Sequence, residues 1–340
     1  MKKTLKVGVV GCGYWGPNLV RNFPAFPECH LADICDTSKP RLLYMKTLYP
    51  DLNTYTSLDE MLTTAHMDAV VIATPVNQHY KLAKQCLLAG KHVLLEKPMA
   101  ATSAHCAELS AIAQAQKLTL MVGHTFLYSP NVRKIKEIID AGEIGEILYI
   151  SSRRLNLGLF QRDINVVWDL APHDIAIIQF LMDELPTAVN CQGNSNVTPG
   201  IEDICNTTLS FASGRFATIQ SSWLDPRKTR EMTIVGTKKM IVYDDLETMH
   251  KIRIYDHRVE RPPSHDAFTA FHYSYYYGDI HVPYVKQEEP LKLECRHFVD
   301  CIENQTTPIS SAEQGGGVVK ILEAASESLR QHGARVVIVE

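Results

Sequence analysis

The stretch "VGVVGCGYWGPN", residues 7–18, places a run of β-branched apolar residues directly against Gly11, Gly13 and Gly16, in the spacing G-x-G-x-x-G. Pro17 follows at once, and proline suits a first helical turn, where its missing N–H has no partner to lose. The stretch therefore predicts a strand, a tight glycine turn and the opening of a helix. "HLADICD" next reads as a strand and "KPRLLYMKTLY" as a helix. "DAVVIAT", "HYKLAKQCLLAG", "KHVLLEK", "SAHCAELSAIAQAQK" and "LTLMVGH" continue the alternation. Short, continuously apolar strands interleaved with amphipathic helices predict a doubly wound parallel sheet covered on both faces, the α/β Rossmann architecture.

The pattern changes near residue 125. "SPNVRKIKEIIDAGEIGEILYI" reads as a helix, a turn and a strand. "DICNTTLSFASGRFATIQSSW" alternates apolar and polar residues around Ser213-Gly214, as a half-exposed antiparallel hairpin does, and "EMTIVGTKKMIVYDD" reads as another hairpin. Helical patterns near 291–303 and 312–331 close the chain. The expected organisation is a Rossmann domain over 1–125, then an α+β domain with an open, mainly antiparallel sheet over 126–340. At 340 residues there is chain enough for roughly two cores. A hydrophobic share of 45%, a charged share of 21% and a formal charge of -4 fit a soluble globular protein. With no long basic run and no apolar stretch long enough for a membrane span, neither a nucleic-acid nor a membrane partner is expected, and the expected address is the cytoplasm. The nine cysteines stand singly, which fits reduced thiols and offers no metal site.

In the context strand–turn–helix, the glycines let backbone approach a pyrophosphate, whose charge the exposed N–H groups and the helix dipole stabilise. Asp36, at the end of the next predicted strand, can accept hydrogen bonds from an adenine-ribose diol and would repel a 2′-phosphate, so NAD is expected over NADP. The competing reading makes Asp36 a strand end or a helix cap. In "HVLLEKPMA", Glu96, Lys97 and Pro98 follow a buried strand at the carboxyl edge of the predicted sheet, where ligands of such sheets sit. Lys97 there either binds a reacting oxygen or belongs to a surface pair with Glu96. In "INVVWDLAPHDIAIIQFL", Asp169 and His173 lie four residues apart at the start of an apolar helix whose first turn Pro172 suits. Near a helix N-terminus flanked by carboxylates, His173 is expected to titrate close to neutrality and to serve as a proton acceptor.

The segments "GCGYWG", "VIATPVNQHY", "AGKHVLLEKPMA", "VGHTFLYSP", "WDLAPHDI" and "SSWLDPRKTREMTIVGT" resemble the Gfo/Idh/MocA oxidoreductases across nearly the whole chain. The resemblance implies an amino-terminal dinucleotide domain and a carboxyl-terminal sheet domain that shapes a sugar or cyclitol site and supports a homodimer or homotetramer. It carries cofactor binding onto Gly11, Gly13, Tyr14, Trp15, Gly16, Asp36, Thr74, Pro75, His79, Glu96 and Lys97. The family's lysine falls on Lys97 and its Asp-x-x-x-His pair on Asp169 and His173, which makes these three the expected catalytic residues. The family more usually has glycine where this chain has Ala171 or Pro172, and an acidic residue where it has Ala176.

"VWDLAPHDI" and the preceding "RRLNLGLFQRD" are similar to the branch acting on nucleotide-linked amino sugars, notably the 3-dehydrogenases of UDP-N-acetylglucosamine and its uronate. Such a substrate needs cations for its diphosphate. Arg153, Arg154, Arg162, Arg227, Lys228 and Arg230 are candidates, each equally readable as solvated charge. Tyr128 and Asn156 are expected contacts to sugar hydroxyls. "FHYSYYYGDIHVPY" reads as a substrate lid, an oligomer interface or simple packing.

Overall fold

A computed structural model describes residues 4–260 and 274–338. The chain divides into two compact units, Met1–Ser129 with Glu288–Glu323, and Pro130–Gln287 with Ala324–Glu340. The first holds a six-stranded parallel sheet of β1 (Leu5–Val10), β2 (Cys29–Cys35), β3 (Asn53–Tyr55), β4 (Ala69–Ile72), β5 (His92–Glu96) and β6 (Leu120–Gly123), in the order β3-β2-β1-β4-β5-β6. Helices α1 (Gly16–Asn22), α2 (Lys39–Leu48), α3 (Leu58–Thr64), α4 (Val76–Leu88) and α5 (Ser103–Ala115) connect them. Every residue of β4 and β6 is buried, as a parallel sheet covered on both faces requires. The ladder pairs Val10 with Ile72, Ile72 with Leu95 and Glu96 with Gly123, so the segments after β1, β4, β5 and β6 leave the sheet at one carboxyl edge.

The second unit begins with α6 (Pro130–Asp140), β7 (Ile147–Leu157) and α7 (Val166–Met182). Strands β8 (Pro186–Asn194), β9 (Ile204–Phe211), β10 (Phe216–Ser222), β11 (Leu224–Gly236), β12 (Met240–Asp244), β13 (Ile252–Glu260) and β14 (Ser274–His281) follow. Two later helices, α8 (Pro290–Asn304) and α9 (Ala312–Arg330), precede the short β15 (Val336–Val337). The sheet order is β14-β13-β12-β11-β7-β10-β9-β8-β15. Every neighbouring pair is antiparallel except the central β7 and β10. The expected hairpin closes through Gly214 at φ 82°, a left-handed conformation that glycine adopts without strain. Of "FHYSYYYGDIHVPY", Phe271, His272 and Tyr273 lie outside the described residues, and the rest includes the edge strand β14.

One local expectation is corrected. Helix α7 starts at Val166, where the Asn165 side chain accepts the Trp168 N–H at 3.2 Å, so Pro172 lies inside the helix and not in its first turn. Asp169 occupies that first turn, and His173 sits one turn farther in.

Alternation along β7 puts Ser152 and Arg154 on the face that α7 covers. Asp174 of α7 accepts from the Ser152 hydroxyl at 2.8 Å and from Arg154 Nε at 2.6 Å and Nη2 at 3.2 Å, and both charged groups are buried. Meanwhile α8 and the start of α9 complete the first unit. Ser310 O accepts the Val122 N–H at 2.8 Å, Arg296 pairs with Glu28 at 2.9 Å, and Arg21 pairs with Glu289. Among the described residues no helix is long and apolar enough to cross a membrane.

Two stability changes follow. A Cβ on Gly16 would fall 1.9 Å from the Gly11 carbonyl oxygen, whereas one on Gly13 meets nothing within 4 Å. Gly16→Ala should lose about 1–3 kcal/mol in urea unfolding, and Gly13→Ala should keep the wild-type midpoint. Asp174→Ala, which strands the buried Arg154 guanidinium, should lose about 3–5 kcal/mol in the same titration.

Candidate active site

The glycine turn is drawn tight by two backbone approaches. Gly11 has φ 97° and packs so close to Ala73 that a Cβ would lie 2.4 Å from its carbonyl oxygen. Asp36 closes the turn from β2: its Oδ2 accepts the Cys12 N–H at 2.6 Å and its Oδ1 accepts the Ser38 N–H at 2.7 Å. Both oxygens keep lone pairs for a diol, so the capping and the ligand readings of Asp36 are compatible. A dinucleotide fits this cradle on two counts. The space at Gly13 is open to a phosphate, and the buried Thr74 hydroxyl beside Gly11 has no protein partner among the described residues. Tyr14 is 91% exposed, and Pro75 precedes α4 as its cap residue.

His79 departs from the expectation that it contacts the cofactor. Its Nε2 lies 2.8 Å from Thr74 O and its Nδ1 2.8 Å from Pro98 O, so the ring ties the segment after β4 to the segment after β5. Burial pushes its pKa down, against the pull of the two carbonyls.

Around the end of β5 lies a buried polar cluster that motif reading largely missed. Glu96 is half-buried, accepts the Lys97 N–H at 3.2 Å and rests against Gly123, where a Cβ would come within 3.0 Å of its carboxylate. Burial pushes its carboxyl up to about 7 against the pull of the Lys97 charge, the Lys97 N–H and the Trp15 indole. His124, just after β6, is buried with neither ring nitrogen bonded to protein among the described residues, and burial with the nearby Lys97 charge pushes it down to about 3. It is a neutral imidazole across the working pH range. Glu294 arrives from α8, 0% exposed, and accepts the Thr125 hydroxyl at 2.8 Å. Burial, then the Glu96 charge, push its carboxyl well above the ordinary range. His124 and Thr125 lie within "VGHTFLYSP", where sequence reading gave them no role, and for Glu294 the available signal is a charged residue amid the apolar face of "PLKLECRHFVDC".

In the second unit, Asp169 and His173 share one face of α7. Asp169 Oδ2 accepts the indole N–H of Trp223 at 3.0 Å. Trp223 is 1% exposed and is held by Phe160, ring centroids 5.5 Å apart, and by Gly158, where a Cβ would meet the indole at 2.8 Å. A rigid aromatic wall thus fixes the Asp169 carboxylate. Asn156 lies beside it, its Nδ2 3.2 Å from a Cβ built on Gly158.

The remaining expected substrate contacts scatter. Arg154 is corrected outright: buried against Asp174, it is not available to a diphosphate. Tyr128 is buried in the first unit with its hydroxyl 2.8 Å from Ser310 Oγ. Arg230 faces Asp245 at 3.4 Å and Arg153 pairs with Glu231 at 2.6 Å. Arg227 and Lys228 border, with Arg153, a cavity of about 420 Å³. Arg153 points to the sheet face opposite α7, so this cavity is separate from Asp169 and His173. Arg162 is exposed, on the segment leading into α7. Among the described residues no group of three or more His, Cys, Asp or Glu side chains could hold a metal.

Comparison with known proteins agrees with this layout. Residues 5–124 match the family described as "Oxidoreductase family, NAD-binding Rossmann fold", and residues 132–242 match the GFO/IDH/MocA C-terminal domain. An uncharacterized oxidoreductase of Streptococcus pneumoniae is 27% identical over 64% of this chain, and the match spans 62% of that protein, less than two thirds of its length. Myo-inositol 2-dehydrogenase of Thermotoga maritima is 24% identical over 96% of this chain and 97% of its own. The structure of UDP-N-acetylglucosamine 3-dehydrogenase GnnA from Acidithiobacillus ferrooxidans superposes with a TM-score of 0.80 at 22% identity, over 98% of this chain and 99% of that one, a likeness of fold. With both of its domains matched, the chain belongs to the Gfo/Idh/MocA oxidoreductase family and carries that family's NAD-binding Rossmann domain.

Proposed function

We propose that this protein is an NAD-dependent dehydrogenase that oxidises a secondary hydroxyl, at C3, of a nucleotide-linked sugar such as UDP-N-acetylglucosamine, giving a 3-keto sugar. The reading rests above all on the Asp169–His173 pair on one face of α7, with Asp169 locked by Trp223. His173 accepts the hydroxyl proton, and Asp169 holds the imidazole's orientation and stabilises its protonated form. Lys97, beside the half-buried Glu96, holds the reacting oxygen and the nicotinamide ribose. The glycine turn and Asp36 bind the pyrophosphate and the adenine ribose. Bound NAD supplies the hydride acceptor. Arg162 is the cation this reading assigns to the diphosphate.

A second reading, a free-sugar or myo-inositol dehydrogenase, draws support from the arginines. Arg153, Arg154 and Arg230 face carboxylates of the protein itself, and Arg227 borders a separate cavity. That leaves little positive charge for a diphosphate.

Purified protein with NAD, offered UDP-N-acetylglucosamine, free hexoses and myo-inositol in both reaction directions and followed by nicotinamide absorbance, separates the readings. Reduction with the UDP-sugar alone is the expected result; turnover confined to inositol or hexoses sinks the nucleotide-sugar assignment. His173→Ala should lower kcat by about 10²- to 10⁴-fold while NAD still binds in calorimetry, and a fully active variant removes the histidine from the chemistry. Arg162→Ala should raise KM for the UDP-sugar about tenfold or more and leave kcat in place, as loss of ground-state binding does.

A further inference from the structure

We propose that Phe160 and Gly158, on the segment that leaves β7 toward Arg162, are positioning residues for Asp169 and act on it through the Trp223 indole. The inference rests on the reading of Asp169 and His173 as the proton-handling pair. Trp223 stands in the gap between β10, which ends at Ser222, and β11, which begins at Leu224. The sheet holds that gap loosely. Leu224 pairs with Leu157, but pairing of β11 with β7 resumes at Thr229 opposite Leu155, so residues 225–228 bulge out of the ladder. Groups that orient a catalytic side chain must be held to within about 0.5 Å, and a ladder broken at this point does not supply that precision.

The missing restraint comes from two sides. On one, the Trp223 N–H donates to Asp203 O at 2.9 Å, and Asp203 is itself anchored, its carboxylate accepting the Asn196 and Val197 N–H groups at 2.7 and 2.8 Å. On the other, the Gly158 N–H donates to Trp223 O at 3.0 Å, and the Phe160 ring packs on the indole with centroids 5.5 Å apart and planes tilted by 59°. Gly158 lies so close that a Cβ would fall 2.8 Å from the indole Cδ1; its φ is outside the left-handed region, so here glycine supplies space and not a turn. Seated between these groups, the buried indole donates to Asp169 Oδ2 at 3.0 Å, a bond strengthened by the carboxylate charge. Leu157 and Leu159, which flank Gly158, are 74% and 85% exposed. A segment that buries so little is held where it is by the few inward contacts it makes, and those of Gly158 and Phe160 are with Trp223. The segment therefore has two separable duties: Arg162 binds substrate, and Phe160 with Gly158 keeps the catalytic carboxylate aligned.

Phe160→Ala should lower kcat about tenfold or more and leave KM for the sugar near its wild-type value, the reverse of what Arg162→Ala does from the same segment. Phe160→Tyr, which keeps the ring, should restore kcat. Wild-type kcat in Phe160→Ala, or a Phe160→Tyr variant equally slow, overturns the proposal. The chain has three tryptophans, so the indole N–H signals of isotope-labelled full-length protein follow the link without substrate. Trp223→Phe identifies the Trp223 signal by its loss, and Asp169→Asn and Phe160→Ala should each displace that signal; one left in place by either variant overturns the proposal. Should Trp223→Phe fail to fold, the signal is the one that Asp169→Asn displaces, and no displacement at all is again a refutation. Gly158→Ala, whose Cβ crowds the indole, is a second variant: the signal should move and kcat should fall, and an unmoved signal sinks the link. Full activity in His173→Ala would instead remove the reading of the Asp169–His173 pair, whereas an inactive His173→Ala beside a fully active Phe160→Ala overturns this inference alone. If no sugar is turned over, the dehydrogenase reading fails and the indole signals still decide the link.

Discussion

The Gly11 carbonyl and the Cα of Gly16 are in contact with no room for a methyl group between them. That approach turns the chain from β1 into α1 within a few residues, leaving Gly13 open to solvent and Cys12 N–H aimed at Asp36. It also places Trp15 as the residue that precedes α1. Phosphate cradle and lysine segment are therefore not independent devices. The link runs through backbone: Gly11 packs on Ala73, and the His79 ring ties Thr74 after β4 to Pro98 in the lysine segment.

The two units handle buried charge in different ways. In the second, Asp174 and Arg154 neutralise each other with paired hydrogen bonds, and the Ser152 hydroxyl satisfies the same carboxylate. The result is a rigid link between α7 and β7 and a fixed base for the helix that carries Asp169 and His173. In the first, Glu294 is 0% exposed and its printed donor is the Thr125 hydroxyl, so the cost of ionising it is left largely unrelieved. A satisfied pair contributes rigidity, whereas an unsatisfied group leaves a proton free to respond to what binds beside it.

Much of the first unit was legible because its strands are apolar on both faces and its chemistry sits at their ends. Gly11, Asp36 and Lys97 each follow a strand directly, so an alternating pattern is enough to find them. The second unit hides more. Adjacent arginines on β7 look equivalent in sequence, yet alternation forces Arg153 outward and Arg154 under α7, and only packing tells which is which. Pro172 misled for a related reason. Proline marks a first turn on average, but here the Asn165 cap sets the helix start and proline is tolerated inside. The parallel pairing of β7 with β10 depends on the meander of β8 and β9 between them, a tertiary fact with no local trace. Glu294 is the extreme case, since its hydrogen bond to Thr125 joins residues 169 apart in the chain.

That separation bears on how the protein is made. As the chain leaves the ribosome, the six strands of the first sheet are complete well before Ser310 exists to accept the Val122 N–H or to meet the Tyr128 hydroxyl. Through the synthesis of the whole intervening unit, the flank that α8 later covers stays wet. The first unit is thus finished only by residues made after most of the second, and the Glu294 hydrogen bond to Thr125 waits for them.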